Sequence, residues 1–213
     1  MIVLFPGLGA DEKLFDPYDF EGKKIFFIKF LPPQENETFH DYCLRIASTI
    51  PKDDDLIFIG VSFGGLMAQE ISKMIAVKKI ILISSIKSDK EQPRYFSWVK
   101  FFPWYRTIPA SPLKKIGVLL STVLTRRSKK ERNIFLSFVK EADARVIRFG
   151  IIATLNWSQQ QQLPNVIHIH GSRDLVFPIK RIKPDYVIRG GSHFMIIRRA
   201  EEINALLRRL LAE

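Results

Sequence analysis

The chain is short of the features that brace a protein from outside its own core. It has one cysteine, Cys43, so neither an internal disulfide nor a cysteine metal cluster is available. Cys43 falls within a helical pattern and reads as a small buried apolar residue. No apolar run approaches the roughly 18 residues that cross a bilayer, the best being residues 116–124. The first ten residues lack a basic segment and Pro6 interrupts their apolar run, so no secretory leader is expected and a cytoplasmic location is the default. Acidic residues are scarce as well, 22 against 33 lysines and arginines, which leaves a formal charge of +11 and favours anionic partners. The basic residues concentrate between Lys87 and Arg148 and again at Arg198, Arg199, Arg208 and Arg209. No nucleic-acid motif accompanies them. Nucleic acid is therefore not an expected partner, solvated surface charge is the plain reading, and an anionic membrane surface is the remaining contact the charge would suit.

What the chain does have is enough apolar material for a core. With 213 residues, 46% of them hydrophobic, it can form one well-buried domain plus an insertion. Its organising stretch is Phe58-Ile59-Gly60-Val61-Ser62-Phe63-Gly64-Gly65-Leu66. Residues 56–59 read as a buried strand, and Leu66, Met67, Ile71, Met74 and Ile75 recur at helical spacing, which puts Ser62 on a strand-to-helix corner. So sharp a turn strains the corner residue and brings strand and helix together, leaving room only for glycine at positions 60 and 64. Ser62 is then an exposed hydroxyl beside the unpaired N–H groups of a helix start, beginning at Phe63. The pentapeptide alone also fits a glycine-rich turn with an inert serine.

Upstream, Ile2–Phe5 is a short apolar strand running into Pro6-Gly7-Leu8-Gly9, a loop that either turns the chain or presents the Leu8 N–H as a second donor. Residues 24–30 form the next strand, stopped by Pro32 and Pro33. Thr38 opens a helix with Tyr42, Leu44, Ile46 and Ile50 inward, and His40 in its first turn reads as an exposed or satisfied histidine. Residues 80–83 make another strand. Short apolar strands alternating with helices imply a parallel sheet covered on both faces, whose ligands collect at the carboxyl ends of the strands.

From residue 86 to 157 strand patterns vanish. Tyr95, Phe96, Trp98, Phe101, Phe102, Trp104 and Tyr105 interleave with basic residues and prolines, followed by helical patterns over 116–124, 133–140 and 143–156 and a charged turn at 126–130. This reads as a helical lid whose aromatics form its own core rather than substrate contacts, and a lid of this kind would line an apolar pocket. Residues 166–170 restore strand character and lead into Gly171-Ser172-Arg173-Asp174. There Asp174 is at least a turn-capping residue before a short helix around 178–182. His168 and His170 share a strand face and are expected to pack or satisfy backbone groups. The last strand, 185–188, runs into Gly190-Gly191-Ser192-His193, and residues 195–211 close the chain as a helix.

Three loops, each after a buried strand, thus offer a serine, an aspartate and a histidine in that order, the nucleophile, orienting acid and base of acyl transfer. In Gly60-Val61-Ser62-Phe63-Gly64-Gly65, His170-Gly171-Ser172-Arg173-Asp174 and Gly190-Gly191-Ser192-His193 the chain resembles the α/β-hydrolase superfamily over nearly its whole length. Phe5-Pro6-Gly7-Leu8-Gly9 is similar to the oxyanion loop, with Pro6 where many members carry histidine. The resemblance implies an α/β fold with about six parallel strands, trimmed of the usual N-terminal hairpin, with 24–30 at one edge and 185–188 at the other. It implies a core of residues 1–85 and 158–213 and a lid of 86–157. It also implies a catalytic Ser62, Asp174 and His193, with the Leu8 and Phe63 N–H groups as oxyanion hole. Asp89 is an alternative acid. The implied activity is hydrolysis of an ester or thioester with an apolar acyl or aryl group, needing no metal or organic cofactor. Acyl transfer, carbon–carbon hydrolysis and haloperoxidase-like chemistry on the same triad, or plain small-molecule binding, are the alternatives.

Overall fold

In the computed structural model, residues 1–112, 114, 115, 118 and 129–212 are described. The helix expected over 116–124, apart from residue 118, and most of the charged turn at 126–130 lie outside them.

Six strands form one sheet in the order β2-β1-β3-β4-β5-β6, and every neighbouring pair is parallel. They are β1 (Ile2–Phe5), β2 (Ile25–Phe27), β3 (Ile57–Val61), β4 (Lys79–Ile83), β5 (Val166–Gly171) and β6 (Tyr186–Ile188). The edges are the two expected, but β2 is three residues long where seven were expected. It has a single neighbour, β1, whose four residues limit what it can pair with.

Alternation along the strands sorts the core into two layers. Val3, Phe5, Phe58, Ile80 and Leu82 face one side, against α1 (Phe39–Ala47) and α2 (Phe63–Ile71). Ile2, Leu4, Ile59, Ile81 and Ile83 face the other, against a single turn of 3₁₀-helix at Glu12–Phe15 and the C-terminal helices. Thr38 caps α1, its Oγ1 accepting from the Asp41 N–H at 3.1 Å. The buried residues of α1 are Tyr42, Cys43, Ile46 and Ala47, whereas Leu44, expected inward, is 53% exposed. The core-facing stripe runs i, i+1, i+4, i+5, and Leu44 lies off it. Burial pushes the Cys43 thiol pKa well up, in keeping with an inert packing residue.

Between β4 and β5 the described residues include α3 (Arg94–Phe101), a 3₁₀ turn at Pro103–Arg106, α4 (Lys129–Glu141) and α5 (Ala144–Asn156). Asp89 fastens the two ends of this stretch. Its backbone N–H donates to Gln159 O at 3.0 Å, and its carboxylate accepts from the Gln159 N–H at 2.5 Å and the Ser158 hydroxyl at 2.8 Å. The aromatics do not form a core of their own. Phe96 and Tyr105 are buried, but Trp98, Phe101, Phe102 and Trp104 are 74%, 78%, 52% and 63% exposed.

The closing helix is two pieces, α6 (Met195–Arg198) and α7 (Ala200–Ala212), separated at Arg199 with φ −110° and ψ 30°. The apolar period continues across the break, which is why the sequence reads as one helix. Among the described residues no helix is long and apolar enough to cross a membrane.

Candidate active site

The corner after β3 is built as its glycines demand. Ser62 has φ 52° and ψ −117°, a conformation that a non-glycine residue holds only at a cost of about 1–3 kcal/mol. Three contacts hold it there: its N–H donates to Ile83 O at 3.0 Å, and its carbonyl accepts from Gly65 N at 2.9 Å and the Ser85 hydroxyl at 2.8 Å. A methyl at Gly60 would lie 2.6 Å from Gly65 Cα, and one at Gly64 would lie 2.3 Å from Phe5 O. No side chain fits either approach. Glycine at 64 lets the N-terminus of α2 sit against the end of β1, bringing the 6–10 loop beside Ser62. In that loop Ala10 N–H donates to Gly7 O at 2.9 Å, and Gly9, at φ 82°, takes the third turn position where a side chain would be strained.

The acid and histidine loops are stitched to each other. Arg173 N–H donates to Gly191 O at 2.8 Å, Ser172 N–H to Ile188 O at 3.0 Å, and Gly190 N–H to the Ser172 hydroxyl at 2.8 Å. A methyl at Gly171 would meet Gly191 O at 2.4 Å.

The three sequence candidates meet. Ser62 Oγ is 2.9 Å from His193 Nε2, and His193 Nδ1 is 2.8 Å from Asp174 Oδ2. An ionised carboxylate only accepts, so Nδ1 carries the proton and Nε2 turns a lone pair toward the serine hydroxyl. Asp174 is buried and uses both oxygens: Oδ1 accepts from the N–H groups of Val176 and Phe177, each at 2.8 Å, and Oδ2 faces the histidine. Turn capping and histidine orientation coexist on one carboxylate. Phe177 and Phe194 flank the imidazole edge-on, with centroids at 5.5 and 5.6 Å.

Behind Asp174 lie two more buried rings. His170 Nε2 donates to Phe177 O at 2.8 Å and sits 3.5 Å from Asp174 Oδ2, while its Nδ1 is 3.2 Å from His168 Nε2. Burial lowers the pKa of His170, with Asp174 opposing, and drives that of His168 well down, aided by repulsion from His170. Both are neutral. The alternative acid, Asp89, is engaged with Ser158 and Gln159 and does not join this cluster. His40 lies on the exposed side of α1, its Nδ1 3.1 Å from Glu70.

A cavity of about 240 Å³ opens onto Ser62 and His193. Its walls are apolar, with Leu8, Leu14 and Val61 from the sheet side, Phe135, Phe138 and Val139 from α4, Ile147 and Ile151 from α5, and Phe194 and Ile197 beyond β6. Lys114 also borders it, but its Nζ is spent on Lys140 O at 3.0 Å and Ala142 O at 2.6 Å, at the C-terminus of α4. A wider groove of about 870 Å³ runs between residues 33–40 and α5. None of Ser62, Asp174 or His193 lines it, so it is not where their chemistry happens. Sequence reasoning read Ser84 and Ser85 only as the end of the strand at 80–83, without the Ser85 contact to Ser62, and did not name the individual cavity residues of α4 and α5. The signal for the latter was present in the spacing of 135, 138 and 139 and of 147 and 151, three or four residues apart on one helix face.

Solved structures share this architecture. An enol-lactonase from Burkholderia xenovorans LB400 is similar with a TM-score of 0.74 at 17% identity, the likeness covering 100% of this chain and 91% of that one. An esterase from Exiguobacterium antarcticum has a TM-score of 0.73 at 15% identity, and a bromoperoxidase from Bacillus anthracis 0.71 at 14%, with the same coverage. The chain has the α/β-hydrolase fold. No family model matches it. Of curated proteins, norfluorocurarine synthase 2 from Strychnos nux-vomica is 31% identical over 88 residues, 38% of this chain, and the match spans 33% of that relative's length. Identities this low among the structures speak for the α/β-hydrolase fold and leave the reaction to be argued from the site.

Proposed function

We propose that the protein is a serine hydrolase that cleaves a carboxylic ester or thioester through an acyl-enzyme. The observation that carries this is the unbroken contact from Ser62 Oγ through His193 to Asp174. His193 Nε2 takes the serine proton as Oγ attacks the carbonyl carbon, and Asp174 stabilises the imidazolium. The N–H groups of Leu8 and Phe63 face the developing oxyanion, a contribution typically worth about 3 kcal/mol per donor. His193 then protonates the departing alcohol or thiol, and water, activated by the same ring, releases the acid.

Residues 1–85 and 158–213 act as the catalytic core and 86–157 as a lid, because α4 and α5 contribute the outer wall of the cavity. That wall is apolar, which suits an apolar acyl or aryl group of modest size. An esterase and an enol-lactonase share the fold, and ester cleavage is the chemistry the cavity suits best.

Replacing Ser62 with alanine is expected to reduce hydrolysis of a p-nitrophenyl butyrate substrate by about 10⁴-fold or more, with the melting temperature nearly unchanged. A fluorophosphonate probe should label the native protein at Ser62 and leave the variant unlabelled. Equal turnover by the two proteins would remove the serine from the mechanism, and a folded native protein that neither turns over nor takes the probe would leave a binding protein.

A further inference from the structure

The exposed aromatics of α3 have no role in the cavity. Trp98, Phe101 and Phe102 stand three and four residues apart, the spacing of one helix face, and Trp104 follows on the next turn. All four are more than half exposed, and the rings of Phe101 and Phe102 touch edge to face at 5.1 Å. The opposite side of the segment is what holds it down: Phe96 packs on Phe177 at 6.3 Å, the Tyr95 hydroxyl donates to Val176 O at 2.5 Å, and Tyr105 is buried. The outer face is therefore a firmly mounted apolar ridge. Single exposed apolar residues are ordinary, but four large rings within seven residues are not.

The charge around the ridge identifies what it meets. Residues 92–112, the ridge and its flanks, contain Arg94, Lys100 and Arg106 and no aspartate or glutamate. A second copy of the chain would bring the same positive charge against it. A purely electrostatic partner would leave the phenylalanines in water. An anionic bilayer surface satisfies both halves, with lipid phosphates for the basic side chains and the headgroup–acyl boundary for tryptophan and phenylalanine.

We propose that α3 and the turn after it form an interfacial docking ridge by which the protein sits on anionic membrane surfaces without crossing them. Trp98 and Trp104 enter the headgroup boundary, Phe101 and Phe102 reach the acyl chains, and Arg94 and Lys100 engage phosphates. Docking of this kind is independent of the hydrolase chemistry.

The full chain is to be sedimented with phosphatidylcholine vesicles, with and without phosphatidylglycerol. Binding is expected to the phosphatidylglycerol vesicles alone and to weaken as salt rises. Trp98 and Trp104 emission should shift to the blue on binding, while the buried Trp157 supplies a constant background. The double variant W98S/F101S is expected to lose roughly tenfold or more in partitioning through the lost apolar contact. The charge variant R94E/K100E should also bind more weakly. S62A should bind as the native protein does, which separates docking from catalysis. Either of the first two variants suffices if the other fails to fold. The proposal is overturned if the native chain stays in the supernatant, if W98S/F101S sediments unchanged, or if binding to heparin or RNA proves tighter than to vesicles and insensitive to W98S/F101S. It is equally overturned if the ridge variants merely convert a dimer to a monomer.

Discussion

The two walls of the cavity are built on opposite terms. Behind the sheet-side wall, backbone meets backbone: Gly60 against Gly65, Gly64 against Phe5, Gly171 against Gly191, each at a separation that would put an added methyl within 2.3 to 2.6 Å of a main-chain atom. On the side of the insertion, side chains meet side chains, with Phe135, Phe138, Ile147 and Ile151 facing the cavity from two helices. The serine, aspartate and histidine that lie within hydrogen-bond reach of one another are kept on the side that has no slack. Shape, which decides what enters, is left to the wall where one residue can be exchanged for another without moving the chain.

The sharpest way to break that contrast is Gly64→Ala. Its methyl would fall 2.3 Å from Phe5 O and 2.4 Å from Pro6 O, both backbone, so a loss of about 3 kcal/mol or more is expected in urea unfolding, with activity abolished. Gly150→Ala tests a point where the insertion presses on the loop after β1. The new methyl would meet the Leu8 side chain at 2.3 Å, the end of a flexible group. Stability should fall by about 1–3 kcal/mol, and kcat by about tenfold if the Leu8 N–H serves the oxyanion.

Smaller still is the pH effect of the buried histidines. Their folded pKa values lie below the ordinary one, chiefly through burial, so the unfolded chain binds protons that the folded chain refuses. The stabilisation is complete above the unfolded histidine value of about 6.5 and is lost as pH falls through and below it. The melting temperature should therefore drop on acidification from about pH 8 to about pH 5, and His168→Leu should flatten that slope. Least of all, Trp98→Ser on the outer face of α3 should change stability by less than about 0.5 kcal/mol, because its side chain is 74% exposed. A large loss there would mean that the ridge is part of a core.

Sequence served the rigid wall better than the adaptable one, and the reason is local. The strands and three loops are written in continuous stretches: apolar runs, glycines on both sides of Ser62, Gly171 before Asp174, and Gly190 and Gly191 before His193. Their meeting follows once the strands are parallel, since all three loops then leave the same edge. Where a residue's fate depends on a distant neighbour, local pattern fails. Leu44 looks as apolar as Cys43, and which of them faces the core is set by where α2 lies. The length of β2 is set by β1. In α3 both faces are apolar, and nothing in the residues themselves says that Phe96 is covered and Trp98 is not.

The fastening at Asp89 has a consequence for how this molecule can vary. Because the carboxylate and N–H of Asp89 join Gln159 and Ser158, the chain leaves the sheet domain and returns to it through a single hydrogen-bonded neck. Adding or deleting residues beyond that neck lengthens or shortens a closed excursion, whose entropic penalty grows only logarithmically with its length. The excursion can change in length and sequence while the strands beneath keep their register.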